Sequence, residues 1–77
     1  MFIRKETVQK VEFIDKHGNQ IGYCSLIERE KETGEKYAVI DTELPKYSEY
    51  TTWHNVAEAT QAYRRDIQEY TEQYKDI

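Results

Sequence analysis

Only a few side chains in this 77-residue sequence could begin nucleophilic or metal chemistry: Cys24, His17 and His54. A nucleophile–base pair needs Cys24, or a hydroxyl, beside one of the two imidazoles. His17 lies in Asp15-Lys16-His17-Gly18-Asn19, a turn signal, and Cys24 lies on the segment that leaves it. That spacing separates the two side chains along a strand. Cys24 is expected to behave as a small buried hydrophobe, since nothing near it in sequence lowers its pKa. Neither the cysteine nor the histidines are doubled at ligand spacing, so no metal site is expected. Gly18, Gly22 and Gly34 are isolated, which rules out a glycine-rich phosphate loop. No catalytic residue, cofactor or metal is therefore expected.

The remaining polar and aromatic residues suggest contacts with macromolecules. Asp66, Glu69, Glu72 and Asp76 recur at three- and four-residue steps, and residues 66–77 carry a balance of -3. That spacing could gather a hard cation, but it more commonly marks a solvated helix face. With Asp41, Glu43 and Glu49 it could also form an acidic surface for a basic partner. Arg4, Lys5 and Lys10 cluster near the start, and Arg64 and Arg65 follow Tyr63. The two arginines are adjacent, so they diverge by about 100° on a helix. The formal charge of -4 argues against nucleic acid, whose phosphates require net basic surface.

Seven tyrosines and one tryptophan are unusual for this length. One expectation is that they form the core, with each hydroxyl reaching the domain edge. The functional alternative is that some are exposed anchors for another protein. Residues 46–54, KYSEYTTWH, concentrate Tyr47, Tyr50, Trp53 and His54. These four, together with Asp66, Glu69 and Glu72, are the candidate partner-binding residues.

The elements that must position them follow from periodicity. Val56, Ala59, Tyr63, Ile67, Tyr70, Tyr74 and Ile77 fall at three- and four-residue steps, which predicts a helix over about 56–75 with one apolar face. Asn55 with Glu58 fits a reciprocal N-cap. Earlier segments read as strands over about 7–14, 20–28 and 36–42, with a further short one over 49–53. Phe2 and Ile3 either lengthen the first strand or form a hydrophobic foot. Gly22, inside the second strand, marks a bulge or a close backbone approach. Pro45 stops a central strand. The second strand is apolar on both faces, which leaves open the face that the helix covers. The class is α+β: one domain, an antiparallel sheet of three to four strands (a hairpin extended as a meander), packed by one C-terminal helix.

The size limits the available stability. Hydrophobic residues make up 38% and charged residues 34%, and a chain this short buries only roughly 60% of its unfolded surface. A single cysteine allows no intrachain disulfide and argues for a reducing compartment. No run approaches the length of a membrane span, and the N-terminus has no apolar signal core, so a cytoplasmic protein is expected. The expected function is a small non-enzymatic protein-binding module, a regulator or inhibitor of a larger, nucleic-acid-handling protein. The size and flavour are compatible with a phage or mobile-element accessory. A self-assembling homodimer is the alternative, and a weak single-stranded nucleic-acid binder is the third reading.

Overall fold

The structure is a computed structural model and describes residues 6–75, with the side chains of Glu6 and Thr7 left out. Phe2, Ile3, Arg4, Lys5, Asp76 and Ile77 lie outside the described residues. Four strands, β1 (Glu6–Ile14), β2 (Gln20–Glu30), β3 (Lys36–Leu44) and β4 (Tyr47–Trp53), precede one helix, α1 (Val56–Gln73). The sheet is antiparallel throughout, in the order β1-β2-β3-β4, and the expected α+β architecture is observed.

Each turn has a local cause. Between β1 and β2, Asp15 Oδ1 accepts the N–H groups of His17 and Asn19, both at 2.9 Å, and Gly18 takes φ 85°. Between β2 and β3, the Gly34 N–H bonds the Lys31 carbonyl at 2.8 Å with φ 88°. The third turn is tighter than expected. Leu44 pairs with Tyr47, so only Pro45 and Lys46 lie between the strands. Proline presets its own φ, and Lys46 adopts φ 64°. Pro45 thus ends β3 two residues later than expected, and β4 begins at Tyr47 rather than residue 49. The fourth strand is a full edge of the sheet.

Alternation decides the core. Val11, Phe13, Cys24, Leu26, Ala38, Ile40, Thr42 and Leu44 share the face that α1 covers, and Ala59, Ala62 and Tyr63 complete the buried cluster from the helix. The helix therefore lies on the Cys24–Leu26 side of β2. Ile21 breaks the alternation. Phe13 pairs with Gly22 and Ile14 with Gln20, so Ile21 is the extra residue of a bulge, and it packs against the core cluster. On the opposite face Val39 is also buried, among the side chains of its own sheet.

Asn55 caps α1: its side-chain oxygen accepts the Glu58 N–H at 3.0 Å, an interaction worth about 1 kcal/mol in comparable helices. At the far end the helix stops at Gln73, with the Tyr74 N–H bonded to the Tyr70 carbonyl at 2.9 Å. The Tyr74 hydroxyl donates to the Pro45 carbonyl at 3.0 Å. This bond ties the last helical turn to the β3–β4 turn.

Cys24 is fully buried, with its sulfur 3.2 Å from the Thr42 hydroxyl. Burial pushes its thiol pKa up. The Thr42 hydroxyl works against that shift, and the negative charges of Asp66, Glu49 and Asp41 add to it. The native thiol is therefore expected to resist a thiol-specific reagent at neutral pH and to react only as fast as the domain unfolds. Labelling followed by mass spectrometry, with and without denaturant, checks this. Comparable rates in both would show that Cys24 is accessible in the native state.

Candidate functional site

A groove runs between β4 and the second half of α1. Period-two alternation places Tyr47, Glu49, Thr51 and Trp53 on the helix-facing side of β4. Helical spacing brings Ala62, Asp66, Glu69, Tyr70 and Gln73 to the opposite wall. Pro45, Lys46 and Tyr74 close the lower end, and Arg65 flanks the helix side. The groove exists because α1 lies across β2 and β3 and only grazes β4.

The polar groups of the strand wall are held in a chain. The Trp53 indole N–H donates to the Thr51 hydroxyl at 3.1 Å, and Thr51 donates to Glu49 Oε1 at 3.2 Å. The Tyr47 hydroxyl donates to Glu49 Oε2 at 2.8 Å. Both oxygens of Glu49 are therefore occupied. The Tyr47 and Tyr70 rings meet at 5.8 Å with a 49° tilt, and the other side of Tyr70 meets Phe13 edge-on at 6.3 Å. Tyr70 is thus the link between core and groove. Burial raises its phenol pKa, and the Tyr47 hydroxyl and the nearby Asp66 charge raise it further. At Tyr47 the Tyr70 hydroxyl favours ionisation, but the bond to Glu49, desolvation and nearby negative charge outweigh it, so the pKa still rises. Both phenols are neutral at physiological pH.

Asp66 differs from Glu49. It is partly buried, and among the described residues it has neither a hydrogen-bond donor nor an ion-pair partner. Desolvation raises its carboxyl pKa, Glu49 and Glu69 raise it further, and Arg65 offsets part of the rise. The folded state therefore holds this proton more tightly than the unfolded chain. Its stabilising contribution is fully present below the ordinary value of 3.8 and is lost as pH rises through the higher folded value. Above that window the carboxylate charge opposes folding. Asp66→Asn is expected to raise stability at neutral pH by about 0.5 kcal/mol, the scale of a surface substitution, and the gain should vanish in acid. Urea titrations of both proteins at pH 7 and pH 3 measure it. A less stable variant at pH 7 would contradict the assignment.

The candidate residues from the sequence divide into two groups. Tyr47, Trp53, Asp66 and Glu69 come together in the groove. Tyr50 does not: it pairs with Asp41 on the opposite sheet face and is 62% exposed. His54 is exposed between β4 and α1, away from the groove lining. Glu72 is exposed and pairs with Lys75 at 2.7 Å rather than joining the groove. The tyrosines do not form a common core either. Tyr63 is buried, Tyr70 and Tyr74 are half-buried, and Tyr47 and Tyr50 are exposed. Of the acidic surface read from the sequence, Glu49 joins Asp66 and Glu69 in the groove, while Asp41 and Glu43 lie on the opposite sheet face; Tyr70 and Tyr74 were missed as groove residues.

Among the described residues, no group of three or more histidine, cysteine, aspartate or glutamate side chains is arranged to hold a metal ion. No described helix is long and apolar enough to cross a membrane. The fold and groove define a small α+β domain with an aromatic, acidic cleft at one sheet edge. Comparison with protein-family models, curated proteins and solved structures finds no match to the chain.

Proposed function

We propose that this chain is a non-enzymatic protein-binding module that contacts its partner through the β4–α1 groove. The observation that carries this reading is the groove's composition. Tyr47, Trp53, Tyr70 and Tyr74 line it, and the carboxylates of Glu49, Asp66 and Glu69 lie among them. Aromatic side chains with one wet polar end are the usual anchors of protein interfaces. Three of these rings are already held, Tyr47 by Glu49, Trp53 by Thr51 and Tyr74 by the Pro45 carbonyl. Binding therefore costs little side-chain entropy. The three carboxylates outnumber Lys46 and Arg65 in the lining, which favours a basic surface on the partner over nucleic acid. A regulator or inhibitor that masks a basic surface of a larger protein fits this arrangement.

The test is affinity capture from the native host with three baits: the wild type, Tyr47→Ala combined with Glu69→Lys, and Tyr50→Ala. Circular dichroism confirms that each bait is folded. The groove variant is expected to lose the partners that the wild type retains, and Tyr50→Ala to keep them. The reverse pattern, or an unchanged set with the groove variant, would overturn the reading.

A further inference from the structure

The two edges of the sheet differ. On β1, Lys10 projects from the middle of the strand. Edge lysines are a usual device that stops a sheet from recruiting another strand. On β4, seven residues pair with β3 without a register shift, and YSEYTTW contains no lysine and no proline. The one charge in this strand, Glu49, points toward the helix side, where a basic residue of an added strand would offset it, and the groove opens directly beside it.

We propose that β4 accepts a fifth strand from another protein, an extended segment with arginine or lysine at the alternate positions that face α1. This rests on the protein-binding reading above and specifies its mode. Side chains of an added strand point alternately to the two sheet faces, so every second one enters the groove next to Tyr47, Glu49 and Trp53. Main-chain hydrogen bonds to β4 supply register. A basic head on the helix side reaches Asp66, the partly buried carboxylate that has no donor among the described residues. Its aliphatic stem lies along the Tyr47 and Tyr70 rings. Charge selects this occupant over a second copy of the chain. A two-fold pairing of β4 with β4 would bring Glu49, Asp66 and Glu69 of both copies to one seam against only Lys46 and Arg65 from each, an excess of like charge that opposes it.

The probe is a synthetic ten-residue peptide that alternates arginine with threonine, blocked at both ends. A second peptide replaces arginine with glutamate. Two more carry backbone N-methyl groups on alternate residues, one in each phase. Titration into the full chain is followed by the chemical shifts of β4 and α1 amides. The arginine peptide is expected to bind and the glutamate peptide not to bind. Asp66→Asn should weaken binding by about tenfold or more, the usual scale for a lost charge-assisted bond. One N-methyl phase should abolish binding and the other retain it, because only alternate peptide groups face β4. Equal binding by both phases, with sensitivity to Asp66→Asn, would overturn strand addition while leaving the groove as a side-chain site. Absence of binding by the arginine peptide, or concentration-dependent dimerisation that shifts the β4 amides instead, would overturn the proposal outright.

Discussion

Gly22→Ala is expected to destabilise the fold by about 3 kcal/mol or more. An alanine in a strand would ordinarily help, because glycine loses more backbone freedom on folding. Here the added methyl would overlap the backbone carbonyl oxygen of Glu43 and lie 2.9 Å from Leu44 Cδ2. The leucine tip could shift, but the carbonyl belongs to β3, which pairs with β2 from Tyr23 opposite Glu43 through Glu30 opposite Lys36. Moving it means breaking that ladder at its end. It also displaces Leu44, which is 5% exposed and joins the core cluster. Overpacking of this kind costs about 3 kcal/mol or more when backbone must move. The total stability of a domain this size is about 4–12 kcal/mol at the usual per-residue values. The urea midpoint of the variant should fall by about 1 M or more, at the usual slope for a small domain. An unchanged or raised midpoint would mean that the approach of β3 to Gly22 is looser than the structure shows.

Leu26→Ala should have the next largest effect. Leu26 is 0% exposed and lies at the centre of β2, between Gln9 on β1 and Ile40 on β3. Removing its side chain loses the transfer energy and leaves a cavity under α1, together about 2–5 kcal/mol. The thermal midpoint should fall by about 15 °C, taking about 4–8 °C per kcal/mol for a domain of this length. Val8→Ala is the control. Val8 is 57% exposed on the open face, and its loss should change stability by no more than about 0.5 kcal/mol. If the two variants melted together, the helix would not cover the Leu26 face.

The fold was largely legible in the residues because each element carries a local signal. Asp15 and Gly18 form a turn whatever surrounds them. Asn55 caps the next residues through its own side chain. The three- and four-residue steps from Val56 to Tyr74 can bury one face only as a helix. Boundaries were less legible where tertiary contact extends an element. β3 runs to Leu44 because the core buries that side chain, and β4 starts at Tyr47 because Leu44 is its pairing partner. Gly22 did signal a bulge or a close backbone approach, and both are present, Ile21 as the extra residue and the Glu43 carbonyl against Gly22. Which strand makes the approach was not legible, because that depends on register.

The candidate site was half legible. Residues 46–54 look like a binding segment by composition, yet β-alternation divides them: Tyr47 and Trp53 face the groove and Tyr50 faces away. Composition carries no information about face until the register is known. The acidic helix residues divide for the same reason. Asp66 and Glu69 turn toward β4, whereas Glu72 turns to solvent and Lys75.

The sequence by itself determined the element types, the first two turns, the Asn55 cap and the identity of the helix stripe, because these depend on interactions within a few residues. Tertiary structure alone decided that α1 lies over the Cys24–Leu26 face and leaves β4 only lightly covered. That choice is set by which face of β2 and β3 fits beneath Ala59, Ala62 and Tyr63. It is also what leaves the tyrosines at the end of the helix short of full burial, and so creates the groove.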